Sequence, residues 1–188
     1  MITDSRILEA IDRQAPRLKI PPGSTLHAKA TLAAITWPET AWGTRWKAGL
    51  FEPAYYRGGK FYKAEHVKHL VHTYESLASC SYGPWQILFI AAYEVGFRGD
   101  PWELIQPSIS AMAVVDLLNK RCFNVWHDAP TPELEAPAST PNQVADMWNS
   151  GSWRDRFIPG NYVGTFIDGY AEALAFYLDR DPLAPVMA

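Results

Sequence analysis

Cysteine is scarce in this chain: there are two, Cys80 and Cys122. They could in principle pair, but they are too few and too far apart in sequence for a cysteine zinc site. With no export signal in view, both are expected to be reduced, largely buried thiols. Long apolar runs are also missing, and no stretch approaches the roughly 20 residues that cross a bilayer. The N-terminal MITDSRILEAIDRQ carries acids early and has no apolar centre, so it does not read as a secretory signal. Nor is positive charge in excess. Lys and Arg total 17 against 20 Asp and Glu, for a net charge of −3 and a pI of about 5.9. That balance gives no ground for electrostatic binding of nucleic acid or a membrane surface. The expectation is a monomer without nucleic-acid partner, membrane span, metal or other cofactor.

Aromatic residues are abundant, with eight Trp, nine Tyr and eight Phe. Most aromatic surplus fills cores, but the apolar face of a sugar ring also lies flat against exposed aromatic side chains. A content of 48% hydrophobic and 20% charged residues in a chain of 188 fits one globular domain spanning 1–188. Within it, 1–23 reads as an N-terminal helix and linker, and about 128–141, rich in Pro, Ala and acid, as an exposed loop.

Hydrophobic periodicity is mostly helical. Ile7, Leu8 and Ile11 share one face of a short helix that ends at Pro16. Val67, Leu70, Val71, Tyr74 and Leu77 form the stripe of a helix over 64–78. His66, His69 and His72 lie off that stripe, and their spacing drifts round the helix, so they read as a solvated face rather than metal ligands. Gly83 and Pro84 mark a turn, a helix containing Ile90 and Tyr93 ends at Gly96, and Pro107 opens another carrying Ile109, Met112, Val115 and Leu118. Thr140, Pro141 and Gln143 make an N-cap, first-turn proline and capping-box partner for a helix through Val144 to Trp148. A last helix has Val163, Phe166, Ile167, Tyr170, Leu174 and Tyr177 in its stripe. YYRGGKFYK, with turn glycines between aromatic residues, reads as a β-hairpin. The fold class is mainly α, with helices around a cleft and a small β-hairpin.

One acid stands out. Leu26, Ala30, Ala33 and Trp37 recur at helical spacing behind Ser24, the expected N-cap, and Pro38 is expected to stop or kink the helix. Glu39 then lies just past the helix end, among Trp37, Trp42 and Trp46. The negative end of the helix dipole and the apolar rings both raise a carboxyl pKa. An acid kept protonated near neutral pH is what glycosidic cleavage needs, because the leaving sugar oxygen must receive a proton. The competing reading of Glu39 is a solvated acid in a surface turn.

Several stretches occur in a telling order. Glu39 is followed by Thr40; Gly83, Pro84, Trp85 and Gln86 form one segment; Trp148, Asn149, Ser150 and Gly151 another; and Asn161, Tyr162 and Val163 a third. Between them runs AAYEVGFRGDPWELIQPSISAMAVVDLL. From about Leu26 to Tyr177 this order resembles the lysozyme-like family of soluble lytic transglycosylases and goose-type lysozymes. That family has a catalytic Glu usually followed by Ser, a GLMQ turn, a YNAG segment and an NYV helix. Here Thr stands in place of Ser, Pro and Trp in place of Leu and Met, and Trp and Ser alter the YNAG segment. The interval from Glu39 to Gly83 is also longer than is usual in the transglycosylases.

The resemblance implies cleavage of the β-1,4 bond between N-acetylmuramic acid and N-acetylglucosamine, with peptidoglycan glycan strands as partner and no cofactor. Glu39 would be the general acid; in a lytic transglycosylase it then takes the proton of the sugar's own 6-hydroxyl as a 1,6-anhydro ring closes. In a muramidase a second carboxylate would hold water, with Glu52 the first candidate and Glu65 a weaker one. Substrate-binding positions would be Thr40, Tyr82, Gly83, Trp85, Gln86, Trp148, Asn149 and Tyr162, the last resembling the family tyrosine whose hydroxyl lies near the acid. Gln86 and Asn149 have amides suited to N-acetyl groups, and equally to structural hydrogen bonds or a helix cap. A third reading is a lysozyme-like module that has lost catalysis and serves in binding or in a virion. A wall-lytic enzyme without a signal segment implies a phage endolysin or virion lysin, or a bacterial enzyme exported by another route.

Overall fold

The periodicities seen in the sequence become helices packed about a very small sheet. The computed structural model describes residues 1–46, 49–125, 136–150 and 162–180. Helix α1, Ser5–Gln14, is capped by the Asp4 side chain, which accepts from the Arg6 backbone, and buries Ile7 and Ile11. Helix α2, Ala28–Thr40, carries Glu39 in its last turn. Helix α3, Glu65–Tyr74, runs into a 3-10 turn ahead of the sheet, α4, Phe89–Glu94, packs on the sheet, and α5, Pro107–Arg121, packs on α1 and α4. The described chain ends with α6, Pro141–Ser150, and α7, Tyr162–Arg180. Among the described residues no helix is long and apolar enough to cross a membrane.

Helix α7 packs chiefly on α2, and α6 packs on α7. The α2–α7 approach is close because Gly169 lies against Trp37; a Cβ there would sit 2.9 Å from the Trp37 Cβ. Phe166, Tyr170, Ala173 and Tyr177 continue the buried stripe of α7, as the helical period requires. Helix α6 begins with the expected reciprocal cap: the Gln143 backbone donates to the Thr140 hydroxyl at 3.4 Å and the Gln143 side chain accepts from the Thr140 backbone at 3.2 Å.

Several expectations are corrected. The N-cap of α2 is His27, whose Nδ1 accepts from the Ala30 backbone at 3.3 Å. Ser24 lies too far upstream; its hydroxyl accepts from Leu26 and donates to the Ser139 carbonyl at 2.9 Å. Pro38 does not end α2, because proline removes only one N–H and the helix runs on for one half-turn. It stops at Ala41, which adopts left-handed backbone with φ 50° while its N–H bonds back to Thr36 and Trp37.

The segment YYRGGKFYK is not a hairpin but a run of tight turns after the 3-10 turn Pro53–Tyr55. Phe61 donates its N–H to the Ala54 carbonyl, Gly59 to that of Tyr56, and the Tyr55 and Phe61 rings pack at 4.8 Å. The helix expected over 64–78 changes to 3-10 geometry at Glu75–Ser79, where Glu75 has φ 53°. The sheet is built elsewhere, from β1 (Leu50–Phe51), β2 (Cys80–Tyr82) and β3 (Ile87–Leu88), antiparallel in that order. Leu50 pairs with Ser81 and Tyr82 with Ile87, so Gly83–Gln86 is the turn of the β2–β3 hairpin. Of the expected exposed loop, 128–135 lies outside the described residues. The rest is anchored: Ala138 is buried and donates to the Cys122 carbonyl, and the Ser139 carbonyl accepts from Thr25. Cys80 and Cys122 are free and buried.

Candidate functional site

Four separate parts of the chain meet at the end of α2. The left-handed Ala41 and Trp42 turn the chain sharply after Thr40, while Trp42 stacks on Trp37 with ring centroids 5.4 Å apart. Trp37 of that stack lies against Gly169 of α7. Trp46 lies farther off, in a surface pocket of about 470 Å³ with Arg6, Glu9 and Arg13. That pocket is larger than the one at Glu39, but its acid, Glu9, is exposed.

Glu39 instead faces a cavity of about 200 Å³, shared with Glu52, Gln86, Trp148 and Asn149. Ile87, Leu88, Ala91 and Leu117, from β3, α4 and α5, supply an apolar part of its lining. Two donors close on the carboxyl. The Tyr162 hydroxyl, at the first residue of α7, donates to Glu39 Oε1 at 2.9 Å. The Trp148 indole N–H, from α6, donates to the same oxygen at 3.4 Å. Burial raises the Glu39 pKa above the ordinary carboxylate value, the two donated bonds oppose that rise, and the charge of Glu52 adds to it. Burial, then the neighbouring Glu39, raises the Tyr162 phenol as well, so it remains a donor. The result is a desolvated, hydrogen-bonded carboxylic acid on the wall of an open cavity, able to hold a proton and deliver it to a ligand there.

The remaining sequence candidates divide sharply. Thr40 is buried and its hydroxyl is used up in structure: it donates towards the Pro84 carbonyl at 2.7 Å and that of Thr36 at 3.0 Å, and accepts from the Gly43 backbone at 3.0 Å. It ties the end of α2 to the β2–β3 turn. Gly83, with φ 73°, lets that turn lie against the 3-10 turn Pro101–Ile105 and the start of α5, since a Cβ would overlap the Leu104 carbonyl and come 2.9 Å from the Ser110 hydroxyl. Trp85 is fully buried and donates its indole N–H to the Leu32 carbonyl at 2.8 Å. Tyr82 is buried and donates to the Leu77 carbonyl at 2.8 Å. These four frame the site and do not offer polar groups to the cavity.

Gln86 does line the cavity, with its backbone in the left-handed region at φ 45° and its side-chain amide donating to the Gly83 carbonyl at 2.9 Å. Asn149 is exposed at the cavity wall. Glu65 is exposed on α3, paired with Lys68 at 2.6 Å and outside the cavity lining. Gly151 and Asn161 lie outside the described residues. Sequence reasoning missed Tyr55 and Arg121, which join the lining. Tyr55 opens the aromatic segment read as a β-hairpin, whereas the helix-terminal Arg121 carried no signal that distinguishes it from a capping cation.

Among the described residues no group of three His, Cys, Asp or Glu side chains is placed to hold a metal ion. Comparison of the chain with protein-family models, curated proteins and solved structures returns no match.

Proposed function

We propose that the protein cleaves the glycan strand of peptidoglycan between N-acetylmuramic acid and N-acetylglucosamine, as a lytic transglycosylase with Glu39 as general acid and then base. The observation that carries this reading is the Glu39 carboxyl itself, desolvated at a cavity and held by a tyrosine and a tryptophan from two other helices. The order of sequence segments that resembles the lysozyme-like family supports it: Glu39, Gln86, Trp148, Asn149 and Tyr162 all come to one place.

In this reading Glu39 protonates the glycosidic oxygen as the muramyl ring develops oxocarbenium character. The resulting carboxylate then takes the proton of the 6-hydroxyl, which attacks the anomeric carbon. Gln86 and Asn149 face the sugar's N-acetyl and hydroxyl groups. A second reading is favoured by one observation: Glu52 lines the same cavity and its charge is felt at Glu39. There, Glu52 holds a water and the product is a reducing end, as in a muramidase.

Digestion of purified peptidoglycan followed by mass spectrometry separates the outcomes. Anhydro-muramyl ends support the transglycosylase, reducing ends the hydrolase, and no products from folded protein overturn the proposal. Glu39→Gln is expected to abolish product formation while the fold is kept. Glu52→Gln should abolish it only in the hydrolase.

A further inference from the structure

Glu39 Oε1 receives two donors, and the second is supplied by a residue on a helix that does not carry the acid. Tyr162 lies at 2.9 Å and the Trp148 indole at 3.4 Å, while the indole also interacts with the Tyr162 phenol. An indole N–H has no acceptor role, so at this contact Trp148 donates in every protonation state. Because its hydrogen is directed at the Tyr162–Glu39 pair, the phenol hydrogen is left to point at the carboxyl. With both hydrogens aimed at Oε1, a proton on that oxygen would meet two others head-on; a proton on Oε2 meets neither.

We propose that Trp148 is a positioning residue for the acid: together with Tyr162 it fixes the transferable proton of Glu39 on Oε2 and sets the pH at which that proton is lost. The inference rests on the proposed general-acid role of Glu39 and adds the device that orients and tunes it. It assigns Trp148 to the acid rather than to the sugar. The ring is buried, so it offers little face for a sugar to stack on.

The charged and titratable groups that bear on Glu39 come from several elements. Tyr162 at the start of α7 contacts it directly, Glu52 after β1 acts through its charge, and Tyr55 and Arg121 stand along the cavity wall. Each stays in place when only the indole N–H is removed. A donated hydrogen bond favours the carboxylate, so its loss moves the Glu39 titration upward.

The test replaces Trp148 by 3-benzothienylalanine, which keeps the bicyclic shape and puts sulfur where the N–H was, with Trp148→Phe as a second variant. The 13C resonance of the Glu39 carboxyl, identified by its absence in Glu39→Gln, is titrated by NMR in each folded protein. The expected result is a midpoint raised by about 0.5–1 pH unit in the benzothienyl variant, and by at least as much in Tyr162→Phe. The alkaline limb of the rate profile on peptidoglycan should move with it. A midpoint unmoved or lowered in the folded benzothienyl variant overturns the proposal. If the midpoint rises but neither wild type nor variant releases muropeptides, the tuning of Glu39 by Trp148 stands and the glycan-cleaving function falls.

Discussion

Thr40 offers the most exacting test of how the acid is held in place, because its role can be removed without changing shape. Thr40→Val replaces the hydroxyl by a methyl of similar size, so packing is nearly unchanged. The Gly43 N–H and the Pro84 carbonyl then lose the hydroxyl they bond at 3.0 and 2.7 Å, in a part of the structure that is itself buried. The Thr36 carbonyl is less affected, since the Ala41 and Trp42 backbones also donate to it. Leaving a buried polar group unpaired costs about 1–3 kcal/mol, so two such groups give a loss of about 2–4 kcal/mol after partial relaxation. For a chain of this size that lowers the melting temperature by about 4–16 °C. Thr40→Ser keeps all three bonds and removes one methyl, a loss nearer 1 kcal/mol. Urea and thermal unfolding followed by circular dichroism measure both. If Thr40→Val stays within about 0.5 kcal/mol of wild type, or loses no more than Thr40→Ser, then the hydroxyl does not join α2 to the β2–β3 turn as described. Because Pro84 belongs to the turn that presents Gln86, any glycan-cleaving activity of Thr40→Val should fall further than its folded fraction does.

Gly83→Ala should destabilise the fold by about 1–3 kcal/mol in the same unfolding assay, because it combines left-handed backbone with a Cβ driven against the Leu104 carbonyl; an unchanged midpoint would contradict that close approach. Cys80 and Cys122 should resist a thiol reagent in the folded protein, where burial raises both and pushes Cys122 up to about 12, and both should react after unfolding without reductant. A count below two in the unfolded protein would reveal a disulfide. The Glu39 carboxyl also makes a pH-dependent prediction for stability. Its pKa is raised on folding, chiefly by burial, so the folded state holds that proton more tightly than the unfolded one. Stability is therefore lost as pH rises from the unfolded value through the folded value, and Glu39→Gln should gain on wild type across that window. Differential scanning calorimetry at pH 4 and pH 8 checks it, and an advantage larger at pH 4 would reverse the assigned direction.

The parts of the fold that could be read from the sequence are those whose signals are local. The capping box of Thr140 and Gln143 depends on residues three apart, and the α7 stripe repeats along the helix from Val163 to Tyr177, so neighbours elsewhere cannot easily mask them. The misreadings lie where a local signal has two structural outcomes. The Gly58–Gly59 pair suits a hairpin turn, yet the carbonyls of Pro53 and Ala54 fill the space beside Gly59, and the chain folds back on itself in turns instead. The true strands, two or three residues long, are too short to show an alternating pattern. Their pairing is decided by how the chain returns from α3, which no window of sequence contains.

The site was legible as a set of positions more than as a set of roles. Trp85 and Gln86 stand side by side in one segment and both read as substrate contacts, yet the indole is sealed in the core on the Leu32 carbonyl while the amide residue lines the cavity. The difference arises in the turn: Gln86 takes a left-handed backbone, φ 45°, which a residue pattern does not reveal for a side chain other than glycine. Conversely, Trp148 and Tyr162 are separated by the undescribed segment 151–161 and sit on different helices, yet they share one carboxylate oxygen. That convergence needs α6 and α7 to pack on each other and α7 on α2, with Gly169 making room for Trp37. The acid's environment is thus a product of helix packing, and a change at Gly169, far from Glu39 in sequence, should disturb the acid by moving the helix that carries Tyr162.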